Sequence, residues 1–320
     1  MKRAGKFASS FFFIYARVMP ADSFTLPSFA KVNLFLRVVG KRADGFHEIC
    51  TIFQTVSLCD YLTFGKDKKI TLTCDDESIP TGENNLIVKA AALLRENLRV
   101  KKGAKIHLEK HIPAPGGLGG GSSNAAVALL GLIKLWAVEV DFENLCEIGK
   151  TLGSDVPFFF YGGTALGTGR GTEIFSLEDF KKNYVLIVTP KIEISTNVAF
   201  AHLNATDLTN KGSKSILQIC RDEVNSLYLR QTALKNDFER VIFEIEPEVA
   251  RVKENLLAGG AKRALLSGSG ASVFGIFDTN EQRQNALEAL RGEPDWRVFP
   301  VETVSRSAYQ KSLRLEKDFA

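Results

Sequence analysis

Between Pro113 and Asn124 the chain reads Pro-Ala-Pro-Gly-Gly-Leu-Gly-Gly-Gly-Ser-Ser-Asn, and five of the six residues from Gly116 to Gly121 are glycine. No side chain there can fend off a group brought against the backbone, and φ > 0 is open at each glycine. Ser122, Ser123 and Asn124 then open a helix whose first N–H groups lack partners within it. A glycine loop feeding a helix N-terminus holds anions, phosphate above all. The spacing fits neither the G-K-[ST] ending of a P-loop nor the G-x-G-x-x-G of a dinucleotide site. A phosphate loop of another kind is therefore expected, against the plainer reading of a flexible linker.

Such a loop needs both ends anchored. Residues 106–110 before it alternate as a strand. Residues 125–138 after it are apolar on nearly every side except at Lys134, the mark of a buried helix. Earlier, residues 28–38 alternate, with Ala30, Val32, Leu34, Leu36 and Val38 on one face and Phe29, Lys31, Asn33, Phe35 and Arg37 on the other. A turn over 40–45 leads to a strand over 47–58, and further strands are expected at 61–64 and 70–74. Residues 85–97 read as an amphipathic helix. A helix over 142–152 is closed by Gly153 as its C′ residue. Residues 165–171 read as a second glycine turn, too polar for a core strand. A short buried strand at 184–189 marks a domain boundary. Beyond it, helices are expected near 199–203, 215–220, 239–245 and 247–258. The turn Leu266-Ser-Gly-Ser-Gly-Ala271 leads into a strand over 272–277. Strands and helices alternate without βαβ regularity, so the class is α+β.

At 320 residues, 45% hydrophobic and 24% charged, the composition is that of an ordinary globular protein with room for one large or two ordinary domains. The net charge of +4 is local: residues 1–20 carry Lys2, Arg3, Lys6 and Arg17 and no acid. The 41 basic side chains less these four equal the 37 acidic ones, which argues against a nucleic-acid partner. Cys50, Cys59, Cys74, Cys146 and Cys220 form no C-x-x-C pair, so reduced thiols in a cytoplasmic protein are expected rather than a zinc site or a disulfide framework. No apolar run approaches the ~20 residues of a membrane span. Residues 1–24 are expected to lie outside the fold. Phe11-Phe-Phe-Ile-Tyr15 behind three basic residues loosely resembles a signal or transit peptide. An over-long start with Met19 as the true first residue is the favoured reading.

Three segments in order resemble the GHMP kinase superfamily: Ser28-Phe-Ala-Lys-Val-Asn-Leu-Phe-Leu36, Pro113 to Asn124, and Leu266 to Ala271. Within it, four features resemble the branch that acts on a cytidine diphosphate-linked methylerythritol in isoprenoid biosynthesis. They are Ala30 to Leu36, Arg42-Ala-Asp-Gly-Phe-His47, the triple Gly119-Gly-Gly121, and Gly153-Ser-Asp-Val-Pro157. The resemblance spans about residues 28–280. It implies two domains with the active site between them. Residues 25–185 would be an ATP-binding domain like the second domain of ribosomal protein S5, and residues 186–320 a ferredoxin-like domain. It also implies transfer of the ATP γ-phosphate to the substrate's 2-hydroxyl with Mg²⁺, in a monomer or homodimer.

The resemblance assigns ATP binding to Pro113, Ala114, Pro115, Gly116, Gly117, Leu118, Gly119, Gly120, Gly121, Ser122 and Ser123. Pro115 departs from the family's usual glycine; it fixes φ and removes one N–H, so either the loop loses a phosphate donor or it is only stiffer. Ser122 and Ser123 are equally placed to reach Mg²⁺. An acceptor hydroxyl must lose its proton, and the family's base falls in the context of Asp155. On local sequence alone Asp155 beside Pro157 reads as a helix N-cap, and both roles can hold. Lys31, on its own a surface lysine, takes a catalytic role from the resemblance: it would balance the carboxylate and steady the transferring phosphoryl group. On the substrate side, Phe46 would stack on cytosine and His47 hydrogen-bond to it, where the plain reading is a core ring and a strand histidine. Asn33, Thr196, Phe200 as a second stacking ring, and the Gly268-Ser269-Gly270 turn match further substrate positions. His107, His111 and His202 have no metal-ligand spacing.

Three rivals follow. A mevalonate, homoserine or sugar kinase of the same superfamily would not need Phe46 and His47. A non-catalytic nucleotide-binding member should have lost Lys31 or Asp155, and both are present. An NAD-type site lacks its motif.

Overall fold

The computed structural model describes residues 23–180, 184–203 and 234–314, with Gln218 and Asp222 between the last two stretches. Its backbone is a long antiparallel pair, β1 (Ser23–Lys41) and β2 (His47–Asp67). β1 begins two residues inside the extension expected over 1–24, because Phe24 stacks on Phe64 with ring centres 5.4 Å apart. The separate strands expected at 47–58 and 61–64 are one element. A register shift between Phe29 and Ala30 absorbs the irregularity, so the ladder runs on through Cys59 and Asp60. A second shift, between Asn33 and Phe35, breaks the expected alternation. Phe35 leaves the face of Lys31 and joins Ala30, Val32 and Leu34 in a shared core.

Outward from β2 come β4 (Gly103–Glu109) and then β3 (Ile70–Cys74), which run parallel to each other with α1 (Leu86–Asn97) between them in sequence. β5 (Thr164–Thr168) pairs with β2 and carries β6 (Glu173–Ser176); β8 (Lys235–Asn236) pairs parallel with β1. The strand β5 corrects the turn expected over 165–171. All five of its residues are buried, and its polar groups are satisfied: Thr164 Oγ1 donates to Gln54 Oε1 at 2.7 Å and Thr168 Oγ1 to Glu173 Oε2 at 3.0 Å. Only residues 169–171 turn.

α1, α2 (Gly120–Trp136), α3 (Phe142–Leu152) and α4 (Phe158–Tyr161) cover one face of this sheet. α2 starts earlier than Ser122, so Ser123 and Asn124 lie buried inside its first turns. Gly153 ends α3 in extended backbone, φ 169°, not in the left-handed C′ geometry expected from sequence.

The second sheet is four-stranded, β11 (Trp296–Glu302), β7 (Tyr184–Pro190), β10 (Val273–Phe277) and β9 (Arg263–Leu266) in spatial order, all antiparallel. Between these strands run α5 (Thr196–His202), α6 (Glu239–Ile245), α7 (Pro247–Ala258) and α8 (Asn280–Leu290). The sequence of strands and the crossovers by α7 and α8 are ferredoxin-like. The helix expected at 215–220 lies outside the described residues apart from Gln218. A core of Ala30, Val32, Ile52, Val56, Ile187, Leu265 and Phe274 joins the two sheets face to face. The layers are therefore helices, sheet, sheet, helices. The last described helix, α9 (Arg306–Ser312), returns to the first core, where Tyr309 is fully buried and its hydroxyl donates to the Phe159 carbonyl at 2.5 Å. Among the described residues no helix is long and apolar enough to cross a membrane.

Candidate active site

A buried carboxylate sets the glycine loop in place. Asp60, with no exposed surface, accepts from Lys110 Nζ at 2.9 Å, from the backbone N–H groups of His111 and Ile112 at 2.7 Å each, and from Asn124 Nδ2 at 2.9 Å. It thus ties β2 to both ends of the loop. Ser28 Oγ donates to Ser123 Oγ at 2.8 Å and accepts from Asn124 Nδ2 at 2.9 Å, fixing α2 to β1. Sequence reasoning did not single out Asp60 or Lys110. The available signal was an acid in an otherwise apolar strand and a lysine just before the loop, both common features of surface chains.

Within the loop, Leu118 is buried and its carbonyl accepts from Lys31 N at 2.9 Å. The Gly117 carbonyl accepts from Lys31 Nζ at 2.9 Å and Ser267 Oγ at 3.0 Å. Gly117 has φ +71°, and a Cβ on it would lie 2.2 Å from the Ser267 carbonyl oxygen. Glycine is required there because the loop presses against the turn of the second sheet. Gly119, also at φ +71°, is the N-cap of α2 and places no side chain on the helix's first N–H groups. Those donors, with the positive end of the helix dipole, are left for an anion. Gly120, Gly121 and Ser122 form this first turn. Pro113 and Gly116 are buried, whereas Ala114 and Pro115 are exposed.

Beside the loop opens a cleft of about 570 Å³, lined from both halves of the chain. Lys31 and Asn33 face it from β1, although only 3% and 2% of their surfaces are exposed. Lys31 Nζ donates to Asn33 Oδ1 at 2.7 Å and stands 3.4 Å from Asp155 Oδ2. Asn33 Nδ2 in turn donates to Thr51 Oγ1 at 2.8 Å, which fixes the amide. The Asp155 carboxylate is 30% exposed and sits in the turn before α4. The N-cap of α4 is Pro157, with no side-chain cap bond, so the capping role is not filled by Asp155.

Phe46, His47, Thr196, Phe200, Gly268 and Ser269 line the same cleft. His47 and Phe200 stack at 4.4 Å and 15°, so the second ring packs on the histidine rather than standing alone. Thr196 and Ser269 hydroxyls meet at 3.1 Å. Gly270 lies behind the lining, its N–H bonded to the Ser267 carbonyl. The Gly268 carbonyl accepts from Asn236 Nδ2 at 2.8 Å. Burial, and then the nearby Lys41 charge, push the His47 pKa down, so the imidazole is neutral at neutral pH. The arrangement joins an anion-holding loop, a lysine–carboxylate pair at its edge, and an aromatic wall. It can bring a phosphate and a hydroxyl together beside a base.

Residues 85–163 match the family described as GHMP kinases N terminal domain, and residues 218–294 that described as GHMP kinases C terminal. The fold and site are those of an ATP-dependent small-molecule kinase. Two curated relatives are named 4-diphosphocytidyl-2-C-methyl-D-erythritol kinase. The one from Caldanaerobacter subterraneus is 37% identical over 88% of this chain and 96% of its own. The one from Protochlamydia amoebophila is 42% identical over 79% and 84%. A crystal structure of 4-(cytidine 5'-diphospho)-2C-methyl-D-erythritol kinase superposes with TM-score 0.71 at 30% identity, covering 88% of this chain and all of that one. A homoserine kinase from Cytophaga hutchinsonii shares the fold, with TM-score 0.68 at 21% identity over 90% of this chain and 96% of its own. The chain belongs to the GHMP kinases, and among them to the family of these 4-diphosphocytidyl-2-C-methyl-D-erythritol kinases.

Proposed function

We propose that the chain transfers the γ-phosphoryl group of ATP to the 2-hydroxyl of 4-diphosphocytidyl-2-C-methyl-D-erythritol, giving the 2-phosphate and ADP for isoprenoid precursor synthesis. The observation that carries this reading is the Lys31–Asp155 pair, 3.4 Å apart, beside a glycine loop and in one cleft with Phe46 and His47. Asp155 accepts the proton as the hydroxyl oxygen bonds to the γ-phosphorus and the bond to the ADP oxygen breaks. Lys31, held by Asn33 and Gly117, keeps a positive charge where the transferring oxygens gather. The backbone from Pro113 to Ser123 holds the ATP phosphates. Asn33, Thr196 and the 268–270 turn orient the alcohol, and Phe46, His47 and Phe200 take the cytosine.

Mg²⁺ is proposed to accompany ATP. Among the described residues no group of three or more His, Cys, Asp or Glu side chains could hold a metal ion. Mg²⁺ keeps several waters and takes one or two protein oxygens beside phosphates. Ser122 fits, since the Ser123 hydroxyl is committed to Ser28. A cation there would offset phosphate charge. We place nucleotide binding in the first unit, residues 25–185 together with α9, and the ferredoxin-like unit closes the cleft. The reading takes the protein as cytoplasmic, a monomer or homodimer whose cleft needs no second copy.

The test is a coupled ADP-release assay with this substrate, ATP and Mg²⁺. Substrate-dependent turnover supports the reading; ADP release no faster than with water sinks it, and mevalonate, homoserine and sugars are then the next acceptors. A pH series adds a second check. With the His47 pKa below the ordinary value of about 6.5, the neutral ring persists through neutral pH and is lost as pH falls. The KM for the cytidine substrate, at saturating ATP, should stay flat between about pH 7 and 8 and rise below about pH 6. In His47→Gln that rise should vanish; a rise that persists there belongs to another group.

A further inference from the structure

The turn Gly169-Arg170-Gly171 presents to the cleft a side chain that the phosphoryl-transfer chemistry does not use. The turn is firmly mounted. Gly169 N donates to Glu48 Oε1 at 2.9 Å, Ile49 N donates to the Gly169 carbonyl at 2.8 Å, and Gly171 N to the Thr168 carbonyl at 3.0 Å. Glu48 is itself buried and paired with the Arg42 guanidinium. One carboxylate thus joins the Arg42-to-His47 segment, singled out in the sequence, to the turn that carries Arg170.

From this mount the Arg170 guanidinium sits over the Phe46 ring, its Cζ 3.8 Å from the ring centre. Stacking uses the face of the group and leaves its N–H edge for acceptors. Among the described residues its Nε is buried without a hydrogen-bond partner. A buried donor left unsatisfied is costly and calls for a partner such as water or a ligand; Arg283 and Arg306 also carry a buried unpartnered Nε, but of the three only Arg170 lines the cleft. The charges in the cleft say what kind of partner. Its lining holds Lys31, Lys41 and Arg170 against a single carboxylate, Asp155, and that carboxylate is matched to Lys31. Lys41 and Arg170 stand on the side of Phe46 and His47, where Lys41 already acts on His47; the Asp44 carboxylate, paired with Arg42 and also under the influence of Arg170, offsets them only in part. A group with two negative charges next to a nucleobase meets this demand. Phe46 is still 48% exposed, so a base can take the open face of the ring while Arg170 keeps the other.

We propose that Arg170 binds the diphosphate of the cytidine substrate, its guanidinium stacked on Phe46 and its N–H edge paired with phosphate oxygens. The inference rests on the cytidine reading above and deepens it. Arginine suits the task because its planar fork matches phosphate geometry.

The test is calorimetric titration of the full chain, saturated with ADP and Mg²⁺ so that the nucleotide site is filled, with CDP and separately with cytidine. The wild type should bind CDP more tightly than cytidine. Arg170→Gln should weaken CDP by about 10- to 100-fold, the value of a charge-assisted contact, and cytidine by no more than about fivefold, the value of the stack on Phe46. Arg170→Lys, which keeps the charge but not the fork, should recover part of the loss. In turnover, KM for the cytidine substrate should rise with kcat nearly kept, as for binding shared by ground and transition states. Equal weakening of both ligands in Arg170→Gln overturns the proposal and leaves Arg170 as a support for Phe46. No change in either overturns it outright. A wild type that binds neither CDP nor cytidine overturns the cytidine reading, and this inference with it; that failure shows in the unmutated protein and so is told apart from the other two.

Discussion

Asp155→Asn is expected to lower kcat by about 10²- to 10⁴-fold, the usual worth of a positioned general base. Stability should stay within about 0.5 kcal/mol, the normal range for a part-exposed substitution. Asparagine fills the same volume but cannot take up the hydroxyl proton. Lys31 keeps its bonds to Asn33 Oδ1 and the Gly117 carbonyl in the variant, so the loop holds its shape and the KM for ATP changes little. The comparison separates chemistry from support. Were Asp155 merely bracing the turn before α4, the melting point would drop and the residual activity per folded molecule would be normal. Single-turnover kinetics beside a thermal melt decide between the two results.

The second large effect is expected at a residue that touches no substrate. Asp60→Ala removes the acceptor for Lys110, for two backbone N–H groups and for Asn124. Lys110 is only 5% exposed at its side chain, so its charge would be stranded. Breaking a buried pair from one side costs about 3–5 kcal/mol. The loss should appear in urea unfolding. Because the same carboxylate pins the strand-to-loop junction, the KM for ATP should rise in parallel. Asp60→Ala with Lys110→Met removes both charges and should regain much of the stability, since a buried pair replaced by apolar groups is often neutral. A melt of Asp60→Ala indistinguishable from wild type would refute the account.

These two residues also mark what the sequence made readable. The glycine loop announces itself by composition, whereas Asp155 alone reads as a helix cap and gains its role only from the ordered set of motifs that resembles the family. The α+β class and most strands and helices followed from periodicity. Asp60 could not be found this way: its role arises only when β2 meets the loop and α2, whose partners His111 and Asn124 lie 51 and 64 positions further along the chain. β5 was hidden because threonine and glycine look polar one by one, whereas Gln54 and Glu173 satisfy the threonines across the sheet. The face of Phe35 was misjudged because one register shift reverses every later side chain in a strand. Arg170 reads as an ordinary turn residue until it is seen lying on Phe46.

The return of α9 to the first core has a consequence for how the protein is made. The ferredoxin-like half is an insertion between two parts of one structural unit, and Tyr309 reaches the Phe159 carbonyl across 150 positions of sequence. A ribosome working from the N-terminus delivers the glycine loop and the Asp155 turn early, yet the helix that packs on α4 follows only after the ferredoxin-like half. Until Tyr309 has been made, the Phe159 carbonyl stays uncovered, as does Gly162, where a Cβ would lie 2.1 Å from the Tyr309 ring. The α4 segment that follows the catalytic turn thus receives its buttress from a helix made only after the ferredoxin-like half.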